Sequence, residues 1–396
     1  VRTANVTGFE NDYNSAAHSD FPSRCLSETY LNEPIAAQRS TKDDPMASVS
    51  DPVKTAEKSS VKRSLHPCSP TKLDQLHYQN PVDCKHVIEL DDHHDHHHPA
   101  SEVTATYKFA LLSMMIFPLL GMVAAITMAW QFELMSWLNL GMLIGGWYLT
   151  GLGVTIGFHR LLTHRSFETN NTMRAFWTGL GALSLEGSPL DWCMVHRKHH
   201  QFSDHHGDPH SPSLTGKGFW NRLKGFWHSH VGWMFEDNWS RAERKKFVPD
   251  LMNDPLLVSI DRNYHWWIWA TFLIPLVIGG LATWSWQGAI LGFIWGGLAR
   301  VCLSHHMTWS INSICHIFGA QHFKSPDDSR NNLFFGYFSH GEGWHNNHHA
   351  FPSSAKHGLK WWQFDLSWAI IRTMQLCGLA WNVKLPSQKQ LKARQL

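Results

Sequence analysis

"FALLSMMIFPLLGMVAAITMAW" (109–130) runs without a single Asp, Glu, Lys or Arg. The hydrocarbon core of a bilayer takes about 20 apolar residues of helix, so this run is long enough to cross one. A second charge-free run, Leu134 to Phe158, follows after only "QFE" (131–133), which predicts a helical hairpin. A second pair is expected at about 266–284 and 286–303, the last with Arg300 near its end. Pro118 and Pro275 fall inside these runs, as membrane helices tolerate. Buried helices of a soluble protein would not need charge-free runs of this length joined by such short turns.

The expected fold class is therefore an all-α integral membrane protein, with four transmembrane helices in two hairpins. No Lys or Arg falls between Phe109 and Phe158, or between Trp266 and Ala299. Basic residues favour the cytoplasmic side, which predicts that both termini and the 159–265 loop are cytoplasmic. The 21 tryptophans suit membrane interfaces. A net charge of only +2 gives no case for nucleic acid as a partner. The seven cysteines are odd in number and form no CxxC, so neither a disulfide framework nor a thiolate zinc site is expected. No secretory signal is legible. Residues 1–105 read as a disordered polar tail, and its "DDHHDHHHPA" (91–100) as a solvated low-complexity tract. Residues 106–385 read as the membrane domain and 386–396 as a C-terminal tail.

Three histidine boxes lie outside the apolar runs: "HRLLTH" (159–164), "HRKHH" (196–200) and "HNNHH" (345–349). Residues i, i+3 and i+4 share a helix face. His196, His199 and His200 are thus expected to aim at one point, and His345, His348 and His349 at another. His159 and His164 are five apart, which calls for a helix end or break. Asn312 and His316 stand at i, i+4 beyond the last span. Eight box histidines and His316 make nine possible nitrogen ligands, too many for one ion but suited to two of five- or six-fold coordination. Imidazole suits Fe, Zn, Cu and Ni, whereas a structural zinc stops at four ligands. The count favours a redox pair, with iron the usual choice for oxygen chemistry. His205, His206, His210, His228, His230, His305, His306 and His340 are expected in supporting roles. Asp191, Asp204, Asp208, Glu186 and Glu342 are candidate acceptors for the second N–H of ligating rings.

In their order, "GFHRLLTHRSF", "HRKHHQFSDHHGDPHSP", "SHVGW", "NSICH" and "GEGWHNNHH" closely resemble the membrane fatty acid desaturases of the stearoyl-CoA (Δ9) type, over residues 108 to 385. The resemblance implies a cytosolic helical cap holding a non-haem di-iron centre (two Fe2+, with O2 as co-substrate) that introduces a cis double bond into a fatty acyl chain. It implies His159, His164, His196, His199, His200, His316, His345, His348 and His349 as ligands. It further implies Asn312 reaching the metal through water, and Trp309 lining the acyl site. Two departures bear on the substrate: Met194-Val195 and Asp237-Asn238 stand where animal acyl-CoA enzymes carry Arg-Asp and Arg-Lys, as in the bacterial branch. The acyl substrate is therefore expected as acyl-lipid or acyl-CoA, with the CoA head group less well provided for. With no haem domain legible, a separate electron donor is expected, a ferredoxin or a cytochrome b5. Two rivals are a histidine-box hydroxylase, whose opening box is typically i, i+4, and a metal transporter, which would place Asp, Glu or His within its spans.

Overall fold

The computed structural model describes residues 104–236 and 240–396. The polar tail with its 91–100 tract, and Asp237-Asn238, lie outside the described residues. Four helices are long and apolar enough to cross a membrane: 105–131, 137–163, 264–283 and 286–317. The first is α1 (Ala105–Gln131), begun by the Thr104 hydroxyl, which accepts from Tyr107 N–H. The second begins as α2 (Trp137–Leu152), capped by Ser136, and widens into a π-helix over Gly153–Thr163. Two helices then fold beside the π-helix, α3 (Asn171–Ala182) and α4 (Pro189–Phe202). Next comes α5 (Phe219–His230). The third span is α6 (Tyr264–Thr283). The fourth runs from α7 (Trp286–Gly292) through a π-helix (Phe293–Ala299) into α8 (Arg300–Ile317). Short α9 (His345–Ala350) and α10 (Gln388–Arg394) follow. The only sheet among the described residues is a ribbon of β1 (Glu168–Thr169) antiparallel to β2 (Ala380–Trp381).

The fourth span is longer than the expected 286–303. Arg300 does not end it, because its guanidinium is answered within the protein: it donates to the carbonyls of Gly296 (3.1 Å), Leu183 (2.8 Å) and Thr271 (3.5 Å). A buried charge whose donors are satisfied is tolerated where a bare one is not. The residues expected as a C-terminal tail also form structure: α10 starts with a capping box between Ser387 and Gln390.

Span contacts follow small residues. α6 lies tightly against α7, where a Cβ at Gly292 would strike the Pro275 carbonyl and one at Gly288 the Thr283 hydroxyl. Gly288, Gly292 and Gly296 recur every four residues, the spacing that lets membrane helices approach closely. The first span packs on the fourth rather than on the second. Elsewhere the spans expose Leu120, Val123, Leu273 and Ile278, an outer surface suited to lipid. Trp130, Trp137, Trp284 and Trp286 stand exposed at the two short connections, where amphipathic rings meet the bilayer interface. Ile156 and Phe158, at the end of the second span, form one core with Phe167, Met194, Leu257 and Ile371. That core fixes the π-helix against α4.

Replacing Gly292 by Leu should separate α6 from α7. The expected loss is about 3 kcal/mol, the upper end for overpacking, read as a fall in the thermal midpoint in detergent. Gly145→Leu is the control, since nothing lies within 4 Å of a Cβ there; its midpoint should stay near that of the unsubstituted protein.

Candidate metal centre

Residues five apart lie above one another when a helix makes i→i+5 hydrogen bonds. His164 N–H donates to the His159 carbonyl at 3.1 Å, and the two rings sit 4.9 Å apart. The chain therefore meets the five-residue spacing by widening its helix, with His164 at the helix end that the spacing called for.

The other two boxes do not each aim at one point, and this corrects the sequence reading. Successive residues on an α-helix are about 100° apart, so His199 and His200 cannot face the same way. On α4, His196 and His200 point to one cluster and His199 to another. On α9, His348 joins the first and His345 with His349 the second. The first cluster is His159, His164, His196, His200 and His348; the second is His199, His316, His345 and His349. Within each, the nearest donor atoms all lie within 4.8 Å of one another. All nine are buried except His200, which is half-buried.

Four carboxylates set the ring orientations. Nδ1 of His159 meets Glu342 at 2.6 Å, His199 meets Asp208 at 2.9 Å, His316 meets Asp204 at 2.9 Å and His349 meets Asp327 at 2.6 Å. A neutral ring that donates from Nδ1 keeps a bare lone pair on Nε2. Those Nε2 atoms face the clusters. His159 Nε2 lies 3.0 Å from His348 Nε2, which is 2.9 Å from His200 Nε2; His316 Nε2 lies 3.0 Å from His345 Nε2. Among the described residues, Nε2 of His164, His199 and His349 has no hydrogen-bond partner. Burial first, then neighbouring imidazoles, keep His164, His196, His200, His345 and His348 titrating well below the usual range. Neutral buried rings with converging lone pairs are the form in which imidazole ligates a metal. The donor set thus fits two transition-metal ions, with five nitrogens for one and four for the other.

Of the expected acceptors, Asp204, Asp208 and Glu342 serve. Burial alone would raise the Asp204 carboxyl, but His316 beside it brings it down to about 2. Asp191 instead binds Arg244 (2.6 and 2.7 Å), and Glu186 accepts from Thr308 (2.7 Å) and Trp192 Nε1 (3.3 Å). Three contributors gave no sequence signal. Asp327 comes from a loop outside every box. Arg160 donates to Glu342 (3.1 Å) and Asp365 (3.0 Å), and Asp365 also accepts from the backbone of His357 (2.7 Å). Of the histidines expected to support, His210 lies against His199 (4.3 Å between rings) and His305 contacts the Leu185 carbonyl (2.9 Å). His230 pairs with His306 at 3.1 Å.

A narrow cavity of about 50 Å3 opens beside the clusters. Its wall includes His159, His196 and His345, with Asn312, and apolar side chains of Trp147, Val154, Trp192, Met307 and Ile311. Trp192 also stacks on the His196 ring (5.0 Å). Trp309 is placed elsewhere: it does not border this cavity but packs with Leu111, Val231 and Met234 and stacks on His305. Met194 and Val195 are buried in the core, so they border no head-group entrance.

The profile of the fatty acid desaturase family matches residues 135–378. This chain belongs to that family. It is 42% identical over 283 residues (71% of this chain, 87% of the relative) to the hex-5-enoyl-[acyl-carrier protein] acetylenase of Moorena producens. It is 40% identical over 256 residues (64% and 87%) to the sn-1 stearoyl-lipid 9-desaturase of Anabaena variabilis. It is 35% identical over 282 residues (70% and 72%) to the icosanoyl-CoA 5-desaturase of Limnanthes douglasii. The desaturase thus combines a family sequence with histidine clusters that fit the histidine-box metal centre of such enzymes.

Asp327→Asn should lower metal affinity of the second cluster by about 10–100-fold, the usual effect of losing a carboxylate behind a ligating ring. Metal analysis of the purified desaturase should then fall from two ions per chain towards one. A second expectation concerns Glu186, whose carboxyl burial pushes up from 4.5 to about 7. Between these values the unfolded chain ionises while the folded one does not, so stability falls as pH rises. Glu186→Gln removes that titration. It should gain up to about 3 kcal/mol on the unsubstituted protein between pH 5 and pH 8, read from paired thermal melts.

Proposed function

We propose that this desaturase introduces a cis double bond at the Δ9 position of a saturated, lipid-esterified acyl chain, using O2 and two electrons. The observation that carries this reading is the pair of buried histidine clusters, five and four rings, bordering a narrow cavity with apolar walls. The nine histidines would hold two irons, with Asn312 adjoining them through the cavity wall. Such a pair supplies oxidation of an unactivated C–H bond by O2.

The chain's own contribution is placement. Neighbouring methylenes are chemically alike, so the choice between them rests on geometry. Trp147 and Trp192 give the cavity two rigid flat walls, and Met307 and Ile311 fill between them, keeping water from the chain. Glu342 holds His159 in one orientation, and Arg160 holds Glu342. The tryptophan-flanked short connections and the uneven distribution of basic residues support four crossings with both termini and the metal centre on the cytoplasmic side. A separate carrier, a ferredoxin or a cytochrome b5, would bring the electrons.

The relatives are named for three acyl carriers: acyl carrier protein, lipid and CoA. The relative at 40% identity that is named for a stearoyl-lipid substrate favours the lipid ester here. The acetylenase relative favours a second reading, in which the same site oxidises a chain that already holds a double bond.

Expression in a host lacking its own desaturase, followed by fatty acid profiling, is the test. A Δ9 cis-alkene should appear in membrane lipids, and labelled stearoyl-lipid should be converted faster than labelled stearoyl-CoA when acyl transfer is blocked. A hydroxylated product, an alkyne only, or faster conversion of the CoA ester would each overturn the corresponding part.

A further inference from the structure

Residues 318–396 carry nine Lys or Arg and four carboxylates, Asp327, Asp328, Glu342 and Asp365. Three of the four are committed inside the protein: Asp327 to His349, Glu342 to His159 and Arg160, Asp365 to Arg160. Only Asp328 is exposed, and it accepts from Ser213. Lys324, Lys360, Lys384, Lys389 and Lys392 are exposed. The result is a surface of nearly one sign.

The cations are gathered at one place. Arg394 donates to the carbonyl of Ala350, the residue after His349, and lies over the Phe351 ring (5.6 Å). Lys324 N–H donates to the Arg394 carbonyl at 2.7 Å, and Ala355 N–H to that of Lys384 at 2.9 Å. Leu391 of α10 and Leu359 pack with Phe323 and Phe351 beneath them. One hydrogen bond and one peptide unit therefore link the cationic surface to His349.

We infer that this face, centred on α10, docks an acidic one-electron carrier protein, which passes electrons through the Ala350–His349 edge. The inference rests on the desaturase reading. Turning –CH2–CH2– into –CH=CH– while O2 becomes two waters needs two electrons and two protons beyond those the acyl chain gives up. The carrier supplies the electrons in two single steps, and solvent supplies the protons. Electron transfer weakens steeply with distance, and beneath this cationic face His349 lies one hydrogen bond and one peptide unit away. Complementary charge speeds and orients such encounters.

A lipid surface is the other occupant such charge could suit, and α5 shows how this chain meets lipid. There Arg222 and Lys224 stand among exposed Phe219, Trp220, Leu223 and Trp227, the composition of a helix lying in the bilayer interface. α10 has no aromatic residue, and its one leucine is turned into the Phe351 cluster.

The test uses the iron-loaded full chain in nanodiscs of neutral lipid, with an acidic [2Fe–2S] ferredoxin as probe. Doubling the substitution as Lys389→Glu and Lys392→Glu should weaken ferredoxin binding by tenfold or more at low ionic strength. The unsubstituted protein should lose affinity as salt rises, while the doubly substituted one changes little. Ferredoxin-driven turnover should fall with binding, but a single turnover after dithionite reduction should be unchanged. Equal affinities at low salt would overturn the inference, as would an effect seen only in nanodiscs of phosphatidylglycerol. Failure of dithionite-driven turnover in the unsubstituted protein would count against the desaturase reading instead, and binding would still report on the surface.

Discussion

Nine imidazoles turned inward into two clusters are the constraint on which the rest of this protein depends. A buried polar atom left without a partner costs about 1–3 kcal/mol, so the arrangement would not hold by packing alone. Four of the rings are fixed from behind by carboxylates, and each carboxylate is fixed in turn. Asp208 accepts from the backbone of Asp204 (2.8 Å) and of His210 (3.0 Å). Asp204 accepts from Ser211 and from the backbone of Asp328, and Asp327 from Ser329. These outer partners come from loops that neither cross the membrane nor contain a box. The spans supply the frame, and the loops hold the rings to it.

That division explains what was legible beforehand. Charge-free runs report burial in lipid directly, so four spans could be read from composition, and so could three boxes from their spacing. All nine histidines named from sequence are brought together. What failed was the assumption of one helix geometry. His159 and His164 were expected at a helix end or break; His164 does stand at a helix end, but the turn that brings it to His159 is π rather than α. The HxxHH boxes seemed to aim at single points because shared helix faces were treated as shared directions. With two centres to serve, the angle between adjacent residues becomes useful: α4 and α9 each lie between the clusters and feed both.

Long-range partners left no pattern to read. Asp327 lies 22 positions from His349 along the chain, and Glu342 lies 183 from His159, so only folding pairs them. Asp191 and Glu186 were equally good candidates by proximity to a box, yet they point to Arg244 and to Trp192 with Thr308. Trp309 sits one position from the cavity-lining Thr308, and that single step turns its side chain onto a different face of α8.

The buried arginines show why charge alone marks the end of a span poorly. Arg300 lies within the fourth span and Arg160 within the second, and neither interrupts its helix. Arg300 is answered by backbone carbonyls, including one from Leu183 outside the spans, and so pins the fourth span to the segment that carries α3. Arg160 is answered by Glu342 and Asp365 at once. Removing either carboxylate would leave a buried guanidinium short of countercharge, which makes the Arg160 position intolerant in a way its exposure alone would not reveal. Arg160 therefore couples the second span to Glu342, which holds the His159 ring, and Arg300 couples the fourth span to the third and to Leu183.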